Sequence, residues 1–213
     1  MIAIIDYKAG NLTSVKLALE SLRIDAVITS DADTILRAER VIFPGVGAAG
    51  AAMRSLTALG LMPVVRAVVA KGTPFLGICL GTQIIFEFSE EDGGVPCVGL
   101  IPGRVQLFHP ADPFDKVPQM GWNSIRLTRP HPVLQGIEDG SEFYFVHSYY
   151  PSPSDRRCVI AETDYAGVSF ASVVASGSLV ATQFHPEKSG RIGLHLLDNF
   201  ARWDGREGSA PPC

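Results

Sequence analysis

Two short segments, far apart in the chain, hold the side chains best suited to chemistry: Phe75-Leu-Gly-Ile-Cys-Leu-Gly-Thr-Gln83 and Ala181-Thr-Gln-Phe-His-Pro-Glu-Lys-Ser189. In the first, an apolar stretch runs into Cys79, with Gly77 and Gly81 two residues to either side. This is the pattern of a nucleophile on a sharp strand-to-helix turn, where side chains at the i±2 positions would crowd strained backbone. The helix start that follows offers free N–H groups and a positive dipole end, which favour a thiolate and a negative oxygen beside it. In the second segment His185 ends an apolar run and Glu187 follows two residues later. In extended backbone those two side chains point the same way, so the carboxylate can hold one imidazole nitrogen while the other faces a thiol. A buried structural cysteine and a surface His-Pro-Glu turn are the plainer alternatives.

The remaining histidines are weaker candidates. His147 ends the run Phe143-Tyr-Phe-Val146 and is the rival base, without a carboxylate close in sequence. His109 and His131 precede prolines in loops, His131 reading as exposed, and His195 lies among leucines of the last helix. No zincin motif or EF-hand spacing occurs, so no metal site is expected. Gly45-Val-Gly47 lacks the full dinucleotide glycine pattern and follows a third strand, not a first. Cys97 and Cys158 sit in apolar runs that suit a core, and Cys213 is in the tail. With no Cys-x-x-Cys pair, neither a disulfide framework nor a thiolate zinc site is expected.

These residues need a scaffold. Ile2–Asp6, Ala26–Ile28, Val41–Phe43 and Pro74–Ile78 read as short apolar strands. Between them, Leu12 to Leu22, Asp31 to Arg37, and Ala48 to Val69 with a break at Gly60 read as helices, and Leu80–Phe88 as a helix after Cys79. Asn11 or a neighbour is expected to cap the first of them. Such strands suit a parallel sheet covered on both faces. The second half has β-like runs at 143–146, 158–162, 168–174 and 179–183, the last two joined by a turn at Ala175–Ser178. Gly190–Trp203 reads as a final helix. The expected fold class is α/β: an open mixed, largely parallel sheet flanked by helices, with antiparallel strands in the C-terminal half. One domain is expected over 1–203 and a loose tail over 204–213. Sites in such sheets lie at the carboxyl ends of strands. Asp6–Gly10, Pro44–Gly47 and Gly77–Gly81 all end there.

The 213 residues are 46% apolar and 19% charged with a net charge of −4, the composition of a globular protein. No basic face argues for nucleic acid, and no apolar run is long enough to span a bilayer. The N-terminus shows no basic leader, so a cytoplasmic location is expected.

Taken together, the Cys79 and His185 segments closely resemble the class I glutamine amidotransferases of the triad type. Asp6-Tyr-Lys-Ala-Gly-Asn11, Pro44-Gly-Val-Gly-Ala48, Val117-Pro-Gln-Met-Gly-Trp-Asn123 and Phe143-Tyr-Phe-Val-His-Ser-Tyr149 resemble more narrowly the glutaminase subunits of imidazole glycerol phosphate synthases. The resemblance runs from Met1 to about Trp203. It implies that Cys79 attacks the glutamine carboxamide, that His185 moves the protons and that Glu187 orients His185. It implies an oxyanion hole from the N–H groups of Leu80 and of the Gly45, Val46 and Gly47 loop, which has to rearrange first. Gln83 and the backbone of His147, Ser148 and Tyr149 would hold glutamine. The implied partner is a (β/α)8-barrel cyclase subunit in a heterodimer, met near Asn11, Trp122, Tyr144 and Lys188, with ammonia passing through the barrel; no cofactor is implied. Three positions depart from the family pattern: Lys8, Thr82 and Gln119. An amidotransferase serving another pathway and a non-catalytic α/β module are the alternatives. An α/β-hydrolase would place its acid before its histidine.

Overall fold

Ile2–Ile5 (β1) alternates its side chains between two layers: Ile2 and Ile4 join one buried cluster, Ala3 and Ile5 the other. That double burial is why the strand is apolar at every position. The computed structural model describes residues 1–206. After β1 come α1 (Leu12–Ser21), β2 (Ala26–Thr29), α2 (Ala32–Arg37), β3 (Arg40–Gly45), α3 (Ala49–Ala58), α4 (Leu61–Ala70), β4 (Phe75–Cys79) and α5 (Leu80–Ile84). The rest is mainly strand: β5 (Phe88–Ser89), β6 (Val95–Pro96), β7 (Gly103–Leu107), β8 (Gln119–Ser124), β9 (Arg126–Leu127), β10 (Glu142–His147), β11 (Tyr149–Pro153), β12 (Val159–Tyr165), β13 (Val168–Ser176) and β14 (Leu179–Thr182). The helix α6 (Gly190–Arg202) follows.

Eight strands form the main sheet in the order β2-β1-β3-β4-β14-β13-β12-β9. The strands from β2 to β14 pair in parallel, and those from β14 to β9 pair antiparallel. The chain therefore has the mixed α/β architecture expected from its two unlike halves. One face carries α3 and α4 residues such as Leu56 and Val65; the other carries Leu19 of α1 and Leu196, Leu197 and Phe200 of α6. The pairing that matters for the site is at the centre. β4 lies between β3 and β14, so Cys79 sits opposite Gly45 and one residue beyond the Ile78–Thr182 pair. The chain then needs only three residues after Thr182 to bring His185 to the same sheet end.

Several boundaries differ from expectation. Pro44 and Gly45 continue β3, leaving Val46–Ala48 as the loop. Helix α5 stops at Ile84 and Phe88 is already in a strand, so the dipole behind Cys79 is that of a five-residue helix. Asn11 stands at the start of α1 but its side chain does not cap it. Two small sheets, β10-β8 and β11-β7-β5-β6, were not resolved as sheets by pattern. His131 is buried, with its ring 5.0 Å from that of Trp203, not exposed. Cys79 and Cys97 are free thiols, but Cys158 is engaged in a disulfide, which cysteine spacing did not suggest. Of the tail expected to be loose, 204–206 turn back on Trp203, whose indole N–H donates to the Arg206 carbonyl at 2.7 Å. The remainder of that tail, with Cys213, lies outside the described residues. Among the described residues no single helix is long and apolar enough to cross a membrane.

Candidate active site

Cys79 has φ 54° and ψ −108°, a conformation that costs a non-glycine residue roughly 1–3 kcal/mol. The flanking glycines show why the turn fits. A Cβ on Gly81 would lie 1.7 Å from the Phe43 carbonyl oxygen, and one on Gly77 would lie 2.9 Å from Ala181 Cβ. Both contacts follow from β4 being wedged between β3 and β14. The sharp turn leaves Leu80 at the first helical position, where its N–H has no intrahelical acceptor.

His185 and Glu187 are brought to the same point by the short helical turn Pro186–Lys188. His185 Nδ1 and Glu187 Oε1 are 2.7 Å apart, and both side chains are fully buried. Burial alone would push the His185 pKa down. Electrostatic interaction and hydrogen bonding with Cys79, then the hydrogen bond and charge of Glu187, outweigh burial and raise it to about 10. The other ring nitrogen, Nε2, makes no contact meeting full hydrogen-bond geometry among the described residues. Such loose catalytic contacts are common in unliganded enzymes.

His147, the rival base, is buried; it pairs through Nδ1 with the Tyr149 carbonyl at 2.7 Å, and burial lowers its pKa to about 4. Its Nδ1 is engaged by a backbone carbonyl, whereas that of His185 is held by a buried carboxylate.

The residues expected to form the oxyanion hole and the substrate pocket have the following surroundings. Gly45 pairs with Cys79 across β3 and β4, and Gly47 adopts φ 102°. The Val46 N–H donates to the Ala9 carbonyl at 2.8 Å, so it is turned away from an incoming oxyanion. Gly10 makes this interlock close: a Cβ there would meet Val46 Cγ2 at 3.0 Å. Gln83 donates through Nε2 to the Tyr149 carbonyl at 2.8 Å and to Gln183 Oε1 at 3.1 Å. Its amide therefore supports the pocket backbone. The Ser148 carbonyl accepts from Phe108 N–H.

Three contributors were missed by sequence reasoning. Gln183 Nε2 lies 3.8 Å from Cys79 Sγ. It sits two residues before His185, and the period of an extended strand could have found it. Ala9, which holds Val46, contributes only its carbonyl, which no residue type advertises. Tyr7, fully buried in the same loop, is a third.

The residues expected at a partner surface reach inward as well. Asn11 donates to Glu187 Oε1. Tyr144 faces Trp122 across β10 and β8, with ring centroids 6.3 Å apart. The Tyr144 carbonyl accepts from His185 N–H at 3.0 Å, and its N–H donates to Ser189 Oγ at 3.0 Å. Trp122 and Met120, alternate residues of β8, are 55% and 66% exposed, and Lys188 is exposed. Two large exposed apolar side chains thus lie on the strand next to the one that bonds the base.

Comparison with known proteins shows the family. The family model "Glutamine amidotransferase class-I" matches residues 3–203. The chain is 48% identical over 200 residues to imidazole glycerol phosphate synthase subunit HisH of Dehalococcoides mccartyi, covering 94% of this chain and 96% of that one. It is 51% identical over 208 residues to the subunit of the same name from Nitratidesulfovibrio vulgaris, covering 95% and 96%. Among solved structures, PurLQS from Thermotoga maritima superposes with a TM-score of 0.72 at 17% identity, over 93% of this chain and 96% of that one. A structure described as a glutamine amidotransferase superposes with a TM-score of 0.69 at 18% identity, over 94% and 99%. At such low identity the structural matches speak for the fold, whereas the family model and the close relatives, spanning both the Cys79 turn and the His185 segment, make this chain a member of the class I glutamine amidotransferases.

Proposed function

We propose that the chain hydrolyses L-glutamine to L-glutamate and ammonia through Cys79, as the ammonia-supplying subunit of an imidazole glycerol phosphate synthase. The observation that carries this reading is the convergence of a strained, buried thiol with a histidine whose far nitrogen is held by a buried carboxylate. In the sequence of steps, the Cys79 thiolate attacks the side-chain carbonyl carbon of glutamine. The carbonyl electron pair moves to oxygen, where the Leu80 N–H and a reoriented Val46 N–H receive it. As the intermediate collapses the C–N bond breaks, and the His185 imidazolium gives its proton to the departing nitrogen, releasing ammonia. Neutral His185 then takes a proton from water, which attacks the thioester and frees glutamate. Glu187 keeps the Nδ1 proton in place throughout. Gln83, Gln183 and the backbone of residues 147–149 shape the pocket around the side chain being cleaved.

The partner in this reading is a (β/α)8-barrel cyclase subunit, which uses the ammonia to make imidazole glycerol phosphate and an aminoimidazole carboxamide ribonucleotide in histidine biosynthesis, in the cytoplasm. Support comes from the names of the relatives and from the exposed Trp122 and Met120 beside Tyr144. Aromatic anchors of this kind dominate binding energy at interfaces. The Val46–Ala9 bond supports a chain that rests with an incomplete oxyanion hole and hydrolyses glutamine slowly until the partner reorganises the loop, a coupling between two sites. The test is a glutaminase assay with and without the cyclase subunit and its nucleotide. Stimulation of at least about tenfold is expected, the scale of ordinary site coupling. Equal turnover in both conditions overturns the partner reading, and no turnover in either overturns the activity.

A further inference from the structure

Tyr7 carries a hydroxyl that the resting protein leaves idle. The side chain is fully buried, and its oxygen has no hydrogen-bond partner among the described residues. A buried hydroxyl without a partner is destabilising, and its persistence calls for an explanation. Its position is set closely. A Cβ on Gly45 would lie 2.1 Å from the Tyr7 oxygen and 3.3 Å from Leu80 Cβ. The ring is braced by Phe43, centroid to centroid 4.8 Å. The hydroxyl therefore rests against the Gly45 backbone, directly across the sheet from Cys79. Burial, and then the charge on Cys79, push its pKa upward, so it stays a proton donor.

The peptide beside it is the one that must turn. Its Val46 N–H now points to Ala9 in the Asp6–Asn11 loop. In a trans peptide the carbonyl points opposite to the N–H, so the Gly45 oxygen is directed away from that loop. Rotating the peptide exposes the N–H to the reacting oxygen and swings the Gly45 carbonyl toward the loop, where it loses whatever it bonded before. A buried carbonyl without a new donor would oppose the turn.

We propose that Tyr7 is a positioning residue for the oxyanion loop: its hydroxyl donates to the Gly45 carbonyl in the turned state and so holds the Val46 N–H over the reaction centre. The inference rests on the glutaminase reading above. It explains why Gly45 has no side chain and why a phenol is tolerated there without a partner: the partner arrives only in the working conformation.

The test is Tyr7→Phe in the assembled complex with the cyclase subunit, reading kcat and KM for glutamine, together with the thermal midpoint of the chain alone. Expected is a fall in kcat of about fivefold, the worth of one net hydrogen bond, with KM changed by less than about twofold. The thermal midpoint should stay equal or rise, because the variant removes an orphaned polar atom and little volume. Activity and stability thus move apart, which a merely structural role would not produce. A kcat within about twofold of the parent, or a fall that tracks a lowered thermal midpoint, overturns the proposal. An inactive parent complex would instead overturn the glutaminase reading and this inference with it.

Discussion

At the scale of single residues, the duties proposed for Cys79, His185 and Glu187 are separate, and each has its own signature. Cys79→Ala should lower glutamine hydrolysis at least about 10³-fold in a steady-state assay, because no other group in the site can form the thioester. Glu187→Gln keeps the volume and an acceptor oxygen but removes the charge that raises the His185 pKa and weakens the hydrogen bond that holds the ring. Turnover should drop about 10²-fold or more. The same variant tests the electrostatics. The folded pKa of His185 is raised from 6.5 to about 10. Its stabilising contribution is therefore complete below about pH 6.5 and is lost as pH rises through about 10. The thermal midpoint of the parent chain should exceed that of Glu187→Gln near pH 6.5, and the gap should close toward pH 10. A gap that widens with rising pH would contradict the assigned charge state. The two central residue types were legible in the sequence because their signals are local: paired glycines around a cysteine, and a carboxylate two residues from a histidine. Asn11, expected at a surface or as a helix cap, in fact reaches Glu187, 176 positions away in the chain. A contact so distant leaves no local trace.

At the scale of elements, the nucleophile turn exists because three parallel strands, β3, β4 and β14, are packed with no room between their backbones at its level. Gly81→Ala puts a methyl group into the Phe43 carbonyl and should destabilise the chain by about 3 kcal/mol or more, read from denaturant unfolding, since backbone and not a flexible side chain must give way. Gly99→Ala, where an added Cβ meets nothing within 4 Å, isolates the backbone-conformation cost alone, because that glycine also has positive φ at 69°. The smaller loss expected there separates collision from conformation. The strands and helices of the first half were readable because buried parallel strands are continuous apolar runs and their helices keep a 3.6-residue period. The sheet β11-β7-β5-β6 was not, because β5 and β6 are two residues each and show no period at all. Helix α5 was overestimated for a related reason. Ile85, Phe86 and Phe88 are apolar after the helix has ended at Ile84, so hydrophobicity alone does not mark its stop.

At the scale of the whole molecule, the proposed partner face and the base are linked through β10. β10 hydrogen-bonds through Tyr144 to His185, while β8 presents Trp122 and Met120 outward on its other side. A partner seated on Trp122 would contact the strand paired with β10, which bonds the base through Tyr144. Trp122→Ala should weaken binding of the cyclase subunit at least about tenfold by calorimetry, the usual loss at an aromatic anchor. It should leave the thermal midpoint of the isolated chain nearly unchanged, because the indole is 55% exposed. Unaltered affinity would move the interface elsewhere.

The most direct test of the central claim is acid-quench trapping of the γ-glutamyl thioester during turnover in the assembled complex, with the modified peptide identified by mass spectrometry. The adduct is expected on the peptide containing Cys79 and on no other, with none formed in Cys79→Ala. An adduct on Cys97, or glutamine hydrolysis that continues in Cys79→Ala without one, would contradict it.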